Sequence, residues 1–194
     1  MLVELDDPDQ VQALRAEVLR RRGQGWAPAI TDVVPGARTL LLDGIDPSAA
    51  ARELPTWSLP ATAPNEGPII EIGCTYDGPD LEEVAVQWRV DAEDVVRIHT
   101  SIVHSVAFCG FAPGFAYMTG IGESRSVARR ASPRTAVPAG SVAVAGVYTG
   151  IYPNRSPGGW QLLGHTETAV WDPGRRPPAL LEPGRRVRFV DLGS

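Results

Sequence analysis

The chain has 194 residues and a net charge of −5, enough for one domain or two small ones and too acidic for generic nucleic-acid binding. All 18 basic residues are arginine, so a Walker-type phosphate loop and a Schiff-base amine are both excluded. Two separated cysteines and three histidines without HxH or HExxH spacing argue against a zinc site.

No apolar run approaches the length of a membrane span. The start carries no basic-then-apolar signal, which reads as a cytoplasmic chain with reduced thiols. Residues 2–5 read as a strand. Asp7-Pro8 opens a helix, with Gln10 placed for a capping box and Val11, Leu14 and Val18 on one face. Arg20, Arg21 and Arg22 then meet the negative helix end, and Gly23 stops it. They read as a solvated helix end. Residues 30–34 and 38–42 read as strands joined at Pro35-Gly36, and Asp46-Pro47 starts a short Ala-rich helix to about residue 54. Residues 55–68 carry four prolines and read as a linker, and 69–74 as another strand. The order βαββαβ predicts a ferredoxin-like N-terminal α/β domain over residues 1–76.

Two helices follow, over 80–88 and 91–101, with Asp80 and Asp91 as caps. His99 falls beside the apolar stripe of the second. It is either a packed core histidine or a polar group facing a cleft. Beyond residue 103 the apolar runs are short (106–108, 142–144, 162–163, 169–171 and 187–190) and separated by Gly and Pro turns. That pattern predicts a sandwich or barrel, and residues 77–194 are read as this second domain with two leading helices.

Three blocks rich in Gly, Pro and aromatic residues stand in this half. They are Gly110-Phe111-x-Pro113-Gly114-Phe115-x-Tyr117, then Pro133-Arg134-Thr135-x-Val137-Pro138-Ala139-Gly140-Ser141-Val142, then Gly150-Ile151-Tyr152-Pro153-x-x-Ser156-Pro157-Gly158-Gly159-Trp160-Gln161. In order and spacing they closely resemble the family of allophanate hydrolase subunit 1, the B subunit of 5-oxoprolinase and the sporulation histidine-kinase inhibitor. Weaker similarity covers nearly the whole chain. The resemblance implies an α+β protein, with a small N-terminal α/β domain and a C-terminal cyclophilin-like β-barrel. It also implies a partner, a homologue of allophanate hydrolase subunit 2 (the C subunit of 5-oxoprolinase), itself built on a similar barrel. With a third subunit such pairs open 5-oxoproline to glutamate at the expense of ATP. Related paired domains occur in urea carboxylase. The expected role is therefore a subunit of an ATP-dependent amide or lactam hydrolase, inactive alone and binding no cofactor by itself. The alternatives are a regulator that inhibits a histidine kinase and an accessory subunit of urea or allophanate metabolism. A cyclophilin-like fold does not by itself carry prolyl isomerase activity. The name allophanate hydrolase is a family label here, since the usual amidase signature needs a lysine. Family members begin with extra residues before the strand at 2–5, so either the N-terminal sheet lacks an edge or the true start lies upstream. Cys109 replaces a plain apolar residue and reads as a core thiol, with no cationic neighbour to activate it.

No catalytic residue is assigned. Phe111 and Phe115 either fill the barrel or line a cleft. Tyr117, Tyr152 and Trp160 carry polar handles beside Gly or Pro bends and point to a cleft or interface. Pro157-Gly158-Gly159 lets a ligand approach bare backbone, with amide donors free for a carboxylate or carbonyl oxygen, and Pro113, Gly114, Ser156 and Gln161 of the same blocks are further substrate-binding or interface candidates. Arg134, Thr135 and Ser141 suit a carboxylate or phosphate, although Arg134 equally suits a structural ion pair.

Overall fold

The computed structural model describes residues 1–59 and 67–193, so the middle of the proline-rich stretch read as a linker lies outside the described residues. The chain divides into two compact units, Met1–Glu66 and Gly67–Ser194.

In the first unit, β1 (Leu2–Glu4), α1 (Pro8–Arg22), β2 (Asp32–Pro35), β3 (Thr39–Asp43) and α2 (Pro47–Glu53) follow in order. The caps form as the sequence predicts: Asp7 accepts from the Gln10 amide at 2.8 Å, and Asp46 from the Ser48 amide at 2.9 Å. Val11, Leu14 and Val18 pack on Ile30, Leu40 and Leu42. Arg20 and Arg21 do not simply point into solvent, because both fold back onto Glu17. An apolar hollow of about 260 Å³ lies beside Trp26 and Ile45. The antiparallel sheet has the order β1-β3-β2. A ferredoxin-like sheet would add a fourth strand here, and the strand expected to supply it, β4 (Ile69–Cys74), pairs elsewhere.

β4 pairs in parallel with β12 (Arg186–Asp191), with Ile72 opposite Phe189. Ile72, Cys74 and Phe189 are all buried, so β4 gains an apolar core on joining the second unit. Between these strands come α3 (Leu81–Trp88), α4 (Ala92–Ser101), β5 (His104–Cys109), β6 (Ala116–Thr119), β7 (Arg134–Val137), β8 (Ser141–Ala145), β9 (Tyr148–Ile151), β10 (Ser156–Gly158) and β11 (Gln161–His165). Seven strands form one sheet in the order β11-β8-β9-β6-β5-β12-β4. Its two ends meet where Thr75 and His165 exchange backbone hydrogen bonds of 2.9 Å. The result is a nearly closed barrel, which hides both sheet edges. β7 and β10 make a separate two-stranded ribbon. Residues 169–171, read as a strand, make only a bridge from Trp171 to Ala179. Among the described residues no helix is long and apolar enough to cross a membrane.

His99 lies inside the barrel core with no exposed surface. Its Nδ1 shares a hydrogen bond of 2.7 Å with Tyr76 Oη, and its Nε2 one of 3.2 Å with Thr149 Oγ1. A neutral imidazole has one donor and one acceptor, which suits a hydroxyl on either side. His104 Nε2 donates to the His99 carbonyl, and the two rings lie 4.8 Å apart. Burial, with the neighbouring His104, pushes His99 well below the ordinary imidazole range, and burial holds His104 at about 4.

Both histidines therefore fold neutral, while the unfolded chain takes up their protons as pH falls below 6.5. The urea midpoint is expected to be flat above pH 7 and to fall between pH 6.5 and pH 4. His104 alone accounts for a loss on the order of 3 kcal/mol across that window. His104→Gln is expected to flatten that part of the profile, and an unchanged profile contradicts the assignment.

Candidate functional site

The site grows from a strand buried on both faces. Along β8, Val142 and Val144 enter the barrel core, whereas Ala143 and Ala145 face a second cluster with Phe115, Val137, Tyr152, Trp160 and Leu162. The two alanines leave room for rings. Gly150 on β9 does the same, since a Cβ there would stand 2.9 Å from Phe115 Cζ and 3.0 Å from Trp160 Cζ3. Phe115 is the hub, making edge-to-face contacts with Phe111, Tyr117, Tyr152 and Trp160 at centroid distances of 5.0–5.4 Å. Each such pair adds about 0.5–1.5 kcal/mol beyond area burial.

A cleft of about 120 Å³ opens on this layer. Phe115, Tyr152 and Trp160 are nearly fully buried and form its floor. Tyr117 and the Pro157-Gly158-Gly159 backbone also line it, and Phe111 and Arg129 complete the rim. The ribbon loop must be glycine at Gly158, because a Cβ there would collide with Tyr152 Oη. Phe111 is held at φ +71°, and the Ala112 amide donates to the Gly110 carbonyl at 2.9 Å. This is a γ-turn of the strained, positive-φ kind, a conformation costing about 1–3 kcal/mol. It presents the Phe111 ring 60% exposed at the mouth of the cleft. Pro113 and Gly114 instead line an adjoining open groove with Trp171, where a Cβ on Gly114 would lie 2.6 Å from Trp171 Cβ.

Asp80 holds the surroundings in place. The sequence reads it as a helix cap, yet its side chain caps nothing. Its Oδ2 accepts from the Leu162 amide at 2.7 Å, and its Oδ1 accepts from Arg130 and Arg134, both at 2.8 Å. Burial opposes ionisation of this carboxyl, but the Arg134 and Leu162 hydrogen bonds and both guanidiniums hold it below the usual range. Arg134 thus serves as a structural ion-pair partner. The segment between is clamped too. Ala128 donates to Gln87 Oε1 at 2.8 Å and accepts from Gln161 Nε2 at 3.1 Å, and the Arg130 amide donates to the Gly159 carbonyl at 2.8 Å.

The cleft therefore gathers Phe111, Phe115, Tyr117, Tyr152, Pro157, Gly158, Gly159 and Trp160 from blocks one and three. The rest lie elsewhere. His99 is in the core, Thr135 is exposed on β7, and Ser141 and Gln161 are buried in the sheet. Ser156 Oγ is buried with no hydrogen-bond partner among the described residues. Sequence reasoning missed Asp80, Gly150 and Arg129. Only Gly150 carried a signal, standing inside the third block.

Chemically the lining offers, among the described residues, aromatic faces, tyrosine hydroxyls, bare backbone and one cation, and no carboxylate, thiol or imidazole. Burial raises the Tyr152 phenol, which stays protonated as a donor at neutral pH. Such a cleft binds by stacking, hydrogen bonding and charge, and holds no strong base or activated nucleophile. Among the described residues no three His, Cys, Asp or Glu side chains are grouped to hold a metal ion.

Residues 1–181 match the family described as carboxyltransferase domain, subdomain C and D. The chain is 40% identical over 171 residues to the B subunit of 5-oxoprolinase from Escherichia coli O157:H7, covering 84% of this chain and 78% of that protein. It is 46% identical over 129 residues to the B subunit of 5-oxoprolinase from Bacillus subtilis strain 168, covering 65% of this chain and 54% of the relative. The crystal structure of TTHA0988 superposes with a TM-score of 0.79 at 36% identity, over 100% of this chain and 40% of that one. Kluyveromyces lactis urea carboxylase shares the fold, with a TM-score of 0.68 at 20% identity over 98% of this chain and 21% of that one.

Two substitutions test the construction of the site. Asp80→Asn leaves two guanidiniums short of a buried anion and is expected to cost roughly 2–4 kcal/mol in urea unfolding. A cost near zero contradicts the role given to Asp80. Gly158→Ala displaces the Tyr152 ring and is expected to lower stability by about 1–3 kcal/mol, with a changed near-UV dichroism from the aromatic layer. A variant with wild-type stability and spectrum contradicts the packing described.

Proposed function

Because the chain belongs to the carboxyltransferase subdomain C and D family, we propose that it is the B subunit of a 5-oxoprolinase, acting in the ATP-dependent opening of 5-oxoproline to glutamate. The observation that carries this reading is the cleft. Two of three family blocks converge on one small aromatic site, and among the described residues its lining holds no group able to attack a lactam. A polypeptide that binds without reacting fits a composite enzyme.

In this reading the chain holds the flat lactam ring against Phe115 and Trp160, and the buried floor excludes water from that face. Tyr117 and Tyr152 hydroxyls and the Gly158-Gly159 backbone supply hydrogen bonds to the lactam amide. Ring opening adds water across the lactam C–N bond and is driven by ATP. The ATP site and the group that activates the attack belong to partner polypeptides, a homologue of the C subunit of 5-oxoprolinase and a third component. The exposed Phe111 ring, on its strained turn, suits a partner contact beside the cleft.

The test is reconstitution. Co-expression with the neighbouring reading frames is expected to give glutamate from 5-oxoproline and ATP, with no activity from this chain alone. Equal activity with this chain omitted overturns the proposal.

A further inference from the structure

We propose that Arg129 is the carboxylate-reading residue of the aromatic cleft, whose ligand class is a small flat ring bearing one carboxylate. The identity of the ring, 5-oxoproline, rests on the function proposed above. The role of Arg129 rests on the geometry.

Arg129, Arg130 and Arg134 stand close together in the chain, and they are used differently. Arg130 and Arg134 are committed to Asp80. Arg129 lines the cleft and has no ion-pair or hydrogen-bond partner among the described residues. Its backbone is nonetheless fixed, since Ala128 is bonded on both sides and Arg130 is tied to Gly159. A guanidinium on a clamped stem, at the mouth of a site with no acidic lining residue among the described residues, is a positive charge that none of them opposes. Its planar fork matches the two oxygens of a carboxylate projecting from a ring seated on the aromatic floor. A cleft of about 120 Å³ admits a small ring and little more. Burial raises the Tyr152 phenol, and the Arg129 charge partly opposes that rise, which places the guanidinium within electrostatic reach of the floor.

The experiment is calorimetric titration of the full chain with two rings, 5-oxoproline and 2-pyrrolidinone, the same lactam without the carboxylate. Wild type is expected to bind 5-oxoproline more tightly. Arg129→Gln is expected to weaken 5-oxoproline binding by about tenfold or more, while leaving 2-pyrrolidinone binding unchanged. Arg129→Lys, which keeps the charge without the fork, is expected to fall between. Because Arg129 is exposed and makes no internal bond, both variants keep the wild-type melting temperature. Wild-type affinity for 5-oxoproline in Arg129→Gln overturns the proposal, as does an equal loss for both rings or binding of neither ring by wild type. The reconstituted assay separates the two claims. Activity that needs this chain but survives Arg129→Gln sinks the arginine's role alone, and activity without the chain sinks the oxoprolinase role.

Discussion

One buried carboxylate organises the second unit. Asp80, 3% exposed, takes the Leu162 amide on one oxygen and two guanidiniums on the other. A lone buried anion is prohibitive, so these partners are obligatory rather than ornamental. They also do topological work. The chain leaving β4 runs against β11 through the Thr75–His165 pair and the Gly78 amide, which donates to the Leu163 carbonyl at 3.0 Å. Gly78 and Gly164 lie too close to that neighbouring backbone for any Cβ, so the two strands close as a seam that Asp80 then locks.

The same lock shapes the cleft. Arg130 and Arg134 flank the stretch that enters β7, and β7 carries the ribbon whose far strand presents Pro157 and Gly158. With Asp80 holding both arginines, Arg129 is the cation that lines the opening among the described residues. Below it, β8 separates a Val-lined barrel interior from a ring-lined exterior, using side-chain size as well as alternation. The aromatic layer is therefore supported by a rigid sheet, as a preformed binding site requires.

Local chemistry was legible in the sequence because it is written in neighbouring residues. Asp7, Asp46 and Asp91 cap helices through bonds to residues two or three positions ahead. The Gly- and Pro-rich blocks announce shaped loops for the same reason, and the family resemblance gathers them into one protein. Long-range choices were not legible. Asp80 has the same local pattern as Asp91, yet its carboxylate is claimed by residues 50, 54 and 82 positions away. The apolar run of β4 fits either sheet by pattern, and the parallel pairing with β12 decided its place. Arg129 differs from Arg130 only in which way its side chain leaves a clamped backbone, and no spacing rule encodes that.

The central claim is that the aromatic cleft of the barrel is a ligand site. Amide and indole proton–nitrogen correlation spectra of the labelled chain, recorded during titration with 5-oxoproline, test it most directly. The account predicts saturable shifts confined to Gly158, Gly159, Trp160 and the segment around Arg129. Shifts centred instead on the hollow beside Trp26, or spectra unchanged at saturating ligand, contradict it.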